Sequence, residues 1–140
     1  MARGDSIAHV LGGTRTVRGN TANWVLILRR GLPYASFEAL RKCLAISQES
    51  LAKVLHMPAR TLSRRRGKYL RPDESDRLFR LARVFTHAIG VFENEAQAAS
   101  WMQRSNRALA GIAPIHLFDT DFGAEQVDTL LSRVEHGVFA

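Results

Sequence analysis

The chain has 140 residues, 46% of them apolar, and a formal net charge of +7. That length suits one domain or two small ones sharing an interface, and that apolar content excludes wholesale disorder. The single cysteine, Cys43, excludes an internal disulfide and cannot build a zinc site alone, which fits a reducing cytoplasm.

The charge is unevenly spread. Residues 1–83 hold 17 Lys/Arg against 6 Asp/Glu, whereas residues 84–140 hold 3 against 7. The front therefore has the electrostatic footprint of a polyanion binder, and the rear does not. A basic membrane-surface helix would also be positive, but the cluster over residues 60–71 lacks an apolar face to enter lipid. The longest apolar run, residues 24–28, is far too short to span a bilayer, and no secretory pattern opens the chain.

Residues 1–22 read as a flexible or loosely ordered segment: Gly4, Gly12, Gly13 and Gly19 are interspersed with few large aliphatics. Trp24 to Leu28 fits a strand or a short buried helix by periodicity. Gly31 after Arg29 and Arg30 resembles a helix C-terminus and favours helix, which Leu32-Pro33 then ends. Ser36 can cap a helix through Phe37, Ala39, Leu40 and Leu44 that closes near Ile46, with Cys43 as a buried structural thiol.

Residues 47–71 are the most informative stretch. Leu51, Ala52, Val54 and Leu55 have the three-and-four spacing of one helix face, and Ser47 is placed as its N-cap. With Ser rather than Glu at position 50, a full capping box is absent. His56-Met57-Pro58 makes a tight turn, and Pro58 suits the start of a second helix. His56 stands where glycine is usual, so it must adopt or avoid a left-handed backbone. The second helix turns Leu62 inward and carries Arg60, Thr61, Ser63, Arg64 and Arg65 around the rest of its circumference. Two short helices, a tight turn and a donor-rich second helix describe a helix-turn-helix; the plainer alternative is an αα-hairpin with solvated arginines. On that reading Arg60, Thr61 and Arg64 address base edges, because a guanidinium fork can grip guanine O6 and N7 together. Ser63, Arg65, Arg66, Lys68 and Arg71 then serve the phosphates. Arg65 occupies a position where an apolar residue is common.

Pro72 with Asp73, Glu74 and Asp76 suits a helix start. The stripe Leu78, Leu81, Ala82, Phe85 and Ile89 extends that helix to Gly90, about five turns, as a strut between the basic front and acidic rear. Asn94 caps a helix from Glu95 to Arg104 with Ala98, Trp101 and Met102 inward. A short turn follows over residues 105–111, and Ala113-Pro114 starts a small helix through Ile115, Leu117 and Phe118. The last helix is expected from Ala124 to about His136, with Val127, Leu130, Leu131 and Val134 on its apolar face and Gly137 as its stop. The class is all-α.

Enzymatic constellations are thin. Asp119 and Asp121 flank Thr120 as caps and turns do, and His116 adds only an irregular spacing for metal. Gly12-Gly13 lacks the Lys-Ser/Thr of a phosphate loop. The reading is a non-enzyme with no cofactor and no metal.

The motif Arg60-Thr61-Leu62-Ser63-Arg64-Arg65, followed by Glu74-Ser75-Asp76-Arg77-Leu78 and Ala82-Arg83-Val84, resembles the Xre/MbcA/ParS-type antitoxins. So do Ala98-Ala99-Ser100-Trp101-Met102, Asn106-Arg107-Ala108-Leu109-Ala110-Gly111, Leu117-Phe118-Asp119-Thr120 and Arg133-Val134-Glu135-His136-Gly137. The match covers roughly residues 25–137, and Ser105 stands where proline is common before Asn106. The resemblance implies an antitoxin of the RES–Xre kind. Its fold would be an N-terminal Xre-like helix-turn-helix unit (residues 23–83) joined by a long helix to a small C-terminal toxin-binding unit (residues 84–140). It implies a RES-domain, NAD-consuming toxin and double-stranded operator DNA as partners, and repression of its own operon. Toxin contact carried over from the family falls on Arg133, Glu135, His136, Gly137, Val138 and Phe139. Asn106, Gly111, Asp119 and Thr120 match family positions and read as caps and turns. A homodimer on a palindrome is the usual arrangement for such a DNA reader. The alternative function is a stand-alone helix-turn-helix regulator with a C-terminal dimerisation or ligand-binding unit.

Overall fold

A computed structural model describes residues 3–12 and 21–137. The described residues form eight α-helices and two 3-10 turns: α1 (Arg3–Val10), α2 (Thr21–Arg30), α3 (Tyr34–Leu44), α4 (Gln48–Val54), α5 (Ala59–Arg65), α6 (Pro72–Phe92), α7 (Glu95–Gln103) and α8 (Asp121–Glu135), with the 3-10 turns Arg107–Leu109 and Pro114–Leu117 before α8. Among the described residues the only extended pairing is two isolated bridges, Pro33 with Tyr69 and Asn106 with Ile112.

The centre is α6. Leu78, Leu81, Ala82, Val84, Phe85 and Ala88 have no exposed surface, and α1, α2, α7 and α8 all pack on this helix. One apolar cluster runs from Ile7 through Phe37, Leu51 and Phe85 to Phe118 and Leu131. The long helix is thus more than a strut, because α1 and α8 share a single core around it. A further tie crosses the change of charge: Gln103 of α7 donates to the Leu44 carbonyl at the end of α3, at 2.7 Å.

Three expectations need correction. Of the segment expected to be loose over residues 1–22, residues 1–2 and 13–20 lie outside the described residues, but residues 3–10 form α1, whose Ile7 and Val10 are buried together with Leu11 just after it. Its stabilisation is tertiary, since eight residues are too few to hold a helix in water on their own. Ser36 is not an N-cap: α3 begins two residues earlier, at Tyr34, and the buried Ser36 hydroxyl donates to the Leu11 carbonyl at 2.7 Å. The last helix begins at Asp121 rather than Ala124, with the Thr120 hydroxyl accepting from the Gly123 amide at 3.0 Å. Gly123 lies inside that first turn because a Cβ there would stand 2.0 Å from the Leu117 carbonyl oxygen.

Candidate functional site

The helix-turn-helix is built from local signals. Ser47 caps α4 by accepting the Ser50 amide at 3.1 Å. His56 takes the left-handed conformation (φ 53°) that its place in the turn demands. The turn closes with Met57 N–H donating to Ala52 O at 2.8 Å. Leu51, Leu55, Met57 and Leu62 fill the space between α4 and α5, each 5% exposed or less. Pro58, extended at ψ 152°, precedes α5 as its N-cap.

On α5, Arg60, Ser63 and Arg64 are exposed and Thr61 is half-buried. Arg60 and Arg64 lie one turn apart, on one side of the helix. Among the described residues no carboxylate pairs with either. Arg66, Lys68 and Arg71 are exposed beyond the helix end. Arg66 donates to the Gln48 side-chain oxygen at 3.1 Å, and Arg71 meets Asp73 at 3.3 Å.

Arg65 does not belong to this set. It turns away from the exposed arginines and grips Glu74 at the start of α6, Nε to Oε1 at 2.8 Å and Nη2 to Oε2 at 3.2 Å. Glu74 is buried at 4% exposure and also accepts the Arg71 amide at 2.8 Å. The hydrogen bonds to Glu74 hold the Arg65 guanidinium above its usual range. A position that commonly holds an apolar residue is filled instead by a charge whose partner comes from the next helix. Arg77 adds a second clasp, donating to the Leu55 carbonyl at 2.7 Å. Phosphate binding by Arg65 is therefore withdrawn.

Beneath α4 lies a polar network. Glu38 accepts from Gln48 at 2.6 Å, Arg41 at 3.0 Å and Tyr34 at 3.1 Å. Burial pushes the Glu38 carboxyl up, but these three bonds outweigh it and leave the group below its ordinary value.

At the other end of the molecule, Arg133, Glu135, His136 and Gly137 lie exposed on the last turn of α8 and just beyond it; Val138 and Phe139 lie outside the described residues. Glu135 is engaged: it stands 3.2 Å from Nε2 of His87, whose Nδ1 lies 2.7 Å from Asp128. His87, on α6 and 6% exposed, so ties that helix to the middle and the end of α8. Sequence reading missed this residue, and the signal was there: one imidazole inside the apolar run from Val84 to Phe92. Asn106 accepts the Ala108 amide at 3.0 Å and Thr120 caps α8, so both act as caps. Gly111 takes a left-handed turn (φ 80°).

A cleft of about 480 Å3 separates α4 and its turn from the C-terminal part, lined by Ser50, Lys53, His56, Gln103, His116 and Asp119 among others. His116 and Asp119 share this cleft, but Asp121 is drawn away to Arg80 at 2.9 Å. Among the described residues no group of three or more His, Cys, Asp or Glu is gathered to hold a metal. Cys43 is half-buried, and burial together with the nearby Glu95 pushes its thiol up to about 11. No helix of the described residues is long and apolar enough to cross a membrane.

Comparison with known proteins places both ends of this geometry. Residues 24–83 match the model of the antitoxin Xre-like helix-turn-helix domain, and residues 87–137 that of the antitoxin Xre/MbcA/ParS C-terminal toxin-binding domain. The chain is 34% identical over 116 residues to Antitoxin Xre of Photorhabdus laumondii, covering 80% of this chain and 78% of the relative. It is 30% identical over 117 residues to Antitoxin Xre of Yersinia enterocolitica, covering 81% and 78%. To the Prs ADP-ribosylating antitoxin of a Sphingobium species it is 21% identical over 134 residues, covering 88% and 84%.

Proposed function

Because the chain belongs to the Xre antitoxin family and carries both its helix-turn-helix and its toxin-binding domain, we propose that it silences a RES-domain, NAD-consuming toxin and represses its own operon. As an antitoxin of this family it acts by binding and is not an enzyme. The relative named Prs ADP-ribosylating antitoxin is consistent with a toxin of that NAD-consuming kind. The work is cytoplasmic, where both operator and toxin are met.

Repression rests on one observation above all: Arg60 and Arg64 stand exposed one turn apart on α5, while Arg65 beside them is held by Glu74. Two guanidinium forks so spaced reach neighbouring base pairs in a major groove. Arg64→Ala is expected to weaken specific binding by about 1–3 kcal/mol and relax one operator position. A competition assay with base-substituted operators reads this, and an unchanged preference removes Arg64 from base recognition. A homodimer on a palindromic site is the arrangement proposed.

Toxin binding is assigned to the end of α8, with Arg133, His136 and the tail Val138-Phe139 making contact and Glu135 divided between His87 and the partner. Co-purification with the product of the adjacent gene tests the partner. Deleting residues 138–140 should weaken rescue of cells from that toxin and leave DNA binding intact. Full protection by the shortened protein refutes the role given to the tail.

A further inference from the structure

We propose that Arg30, seated on the ring of Tyr69, is a binding site for a phosphodiester of the DNA backbone. It extends the operator contact from α5 to the end of α2. The inference rests on the DNA-binding reading above and adds to it an element, α2, that lies outside the α4–α5 pair.

The site is built rather than incidental. α2 ends in Arg29-Arg30-Gly31, and Gly31 has φ 109°. A Cβ on Gly31 would lie 2.0 Å from the Leu70 carbonyl oxygen, so only glycine lets these two backbones approach. Leu70 N–H donates to Leu32 O at 2.7 Å and Tyr34 N–H to Lys68 O at 2.9 Å. Leu32 N–H in turn donates to the buried Ser75 hydroxyl at 2.7 Å. The loop after α5 is therefore pinned to the end of α2, and its first turn is pinned to α5 through Lys68 N–H to Arg65 O at 2.9 Å. Arg30 and Tyr69, 39 positions apart in the chain, are brought together by this corner, with the guanidinium carbon 5.2 Å from the ring centroid.

Tyr69 is 55% exposed, which core packing does not explain. A guanidinium held over a ring face by cation–π attraction still has N–H groups to donate to a second partner. A planar fork held in this way loses little side-chain entropy when it grips two oxygens of one phosphate. The surroundings are also cationic: Arg29, Arg66 and Lys68 are exposed nearby in sequence. The carboxylates of this corner are already engaged, Glu74 by Arg65 and Asp73 by Arg71 and Arg77. Such a surface suits a polyanion, and its attachment to the end of α5 suits the same duplex that α5 reads.

The test compares wild type, Arg30→Ala, Arg30→Gln, Tyr69→Ala and Tyr69→Phe on two duplexes, the upstream region of the protein's own gene and a scrambled one, across a salt series. Both Arg30 variants should weaken binding to the two duplexes alike, by about 5–20-fold near physiological salt, with the salt slope reduced by about one. Tyr69→Phe should bind as wild type and Tyr69→Ala should lose part of the affinity. Melting temperatures should stay within about 3 °C, since both side chains are exposed. A wild-type affinity and slope in both Arg30 variants overturns the clamp while leaving the helix-turn-helix reading intact. A change in base preference overturns it too, because a phosphate contact is indifferent to sequence. Absence of salt-dependent binding by the wild type overturns the DNA reading itself, and the clamp with it.

Discussion

Replacing Glu74 by alanine should destabilise the protein far more than it changes DNA recognition. The carboxylate is 4% exposed and accepts three hydrogen bonds, two from Arg65 and one from the Arg71 amide. Its loss strands a guanidinium, which for a buried pair costs about 3–5 kcal/mol. The Arg65 side chain keeps 20% exposure, so its head can swing toward water, which places the loss at the low end of that range. The unpaired Arg71 amide at the helix start adds about 1 kcal/mol. The sum is about 4 kcal/mol, a large share of the roughly 5–15 kcal/mol that holds a domain together. Glu74→Gln keeps one acceptor and should cost about half as much. The double replacement Arg65→Met with Glu74→Leu removes both charges and should fall within about 1–2 kcal/mol of wild type, with operator preference kept. Denaturant unfolding reads the energies and a competition binding assay reads the preference. If Glu74→Ala unfolds within 0.5 kcal/mol of wild type, a margin typical of surface changes, the pair holds nothing and Arg65 is free for phosphate after all.

Two further outcomes follow from the titrating groups. Because the folded Glu38 carboxyl is depressed below its ordinary 4.5, its contribution to stability is full above that pH and is lost as pH falls through the folded value. Acid unfolding of Glu38→Gln should therefore show a shallower loss below about pH 4.5 than the wild type does, and identical acid limbs would count against the network under α4. Raising the Cys43 thiol from 9.0 to about 11 lowers its thiolate fraction about a hundredfold at neutral pH. Iodoacetamide should accordingly modify the folded protein far more slowly than the unfolded chain, and equal rates would show that the half-buried site does not protect the thiol.

How much of this was legible in the sequence depends on the range of each interaction. The helix-turn-helix could be read because its determinants lie within a few residues: the Ser47 cap, the Leu51, Leu55 and Leu62 spacing, and Pro58. The Asn94 cap and the stripe on α6 were legible for the same reason. α1 was not, since Ile7, Val10 and Leu11 are apolar at helical spacing only over about one turn and are held by burial against helices far along the chain. The hydroxyl of Ser36 answers to Leu11, 25 positions away, rather than to its own helix. Gly123 carried a misleading local signal, because a close approach of backbones and a turn both call for glycine. The candidate DNA residues were mostly placed where the spacing put them, but Arg65 could be reassigned only once Glu74 was seen beside it. The corner that joins Arg30 to Tyr69 needs a long-range backbone bridge and had no signature at all.

The change of charge near residue 83 suggests a place to divide the protein, and the core argues that it cannot be divided there. A cut at that point passes through the middle of α6, between Ala82 and Val84, both without exposed surface. A fragment of residues 84–140 loses Leu78, Leu81 and Ala82, and burying each leucine contributes about 1.5–3 kcal/mol. It also loses the first three turns of α6, to which Asp121 of α8 is tied through Arg80. Against a total of about 5–15 kcal/mol, such a fragment should fail to fold. The expected result is a weak far-UV circular dichroism signal, rapid proteolysis and no rescue from the toxin. A fragment starting at Pro72 keeps α6 whole and should regain helicity. Cooperative unfolding of residues 84–140 alone would show instead that the toxin-binding half is autonomous. If it is not, one core serves both ends, and a partner held at 100 times its dissociation constant adds about 2.7 kcal/mol of stability to the whole molecule. The helix-turn-helix then gains stability from a partner held by the C-terminal domain, and the C-terminal domain from a partner held by the helix-turn-helix, with no movement of either.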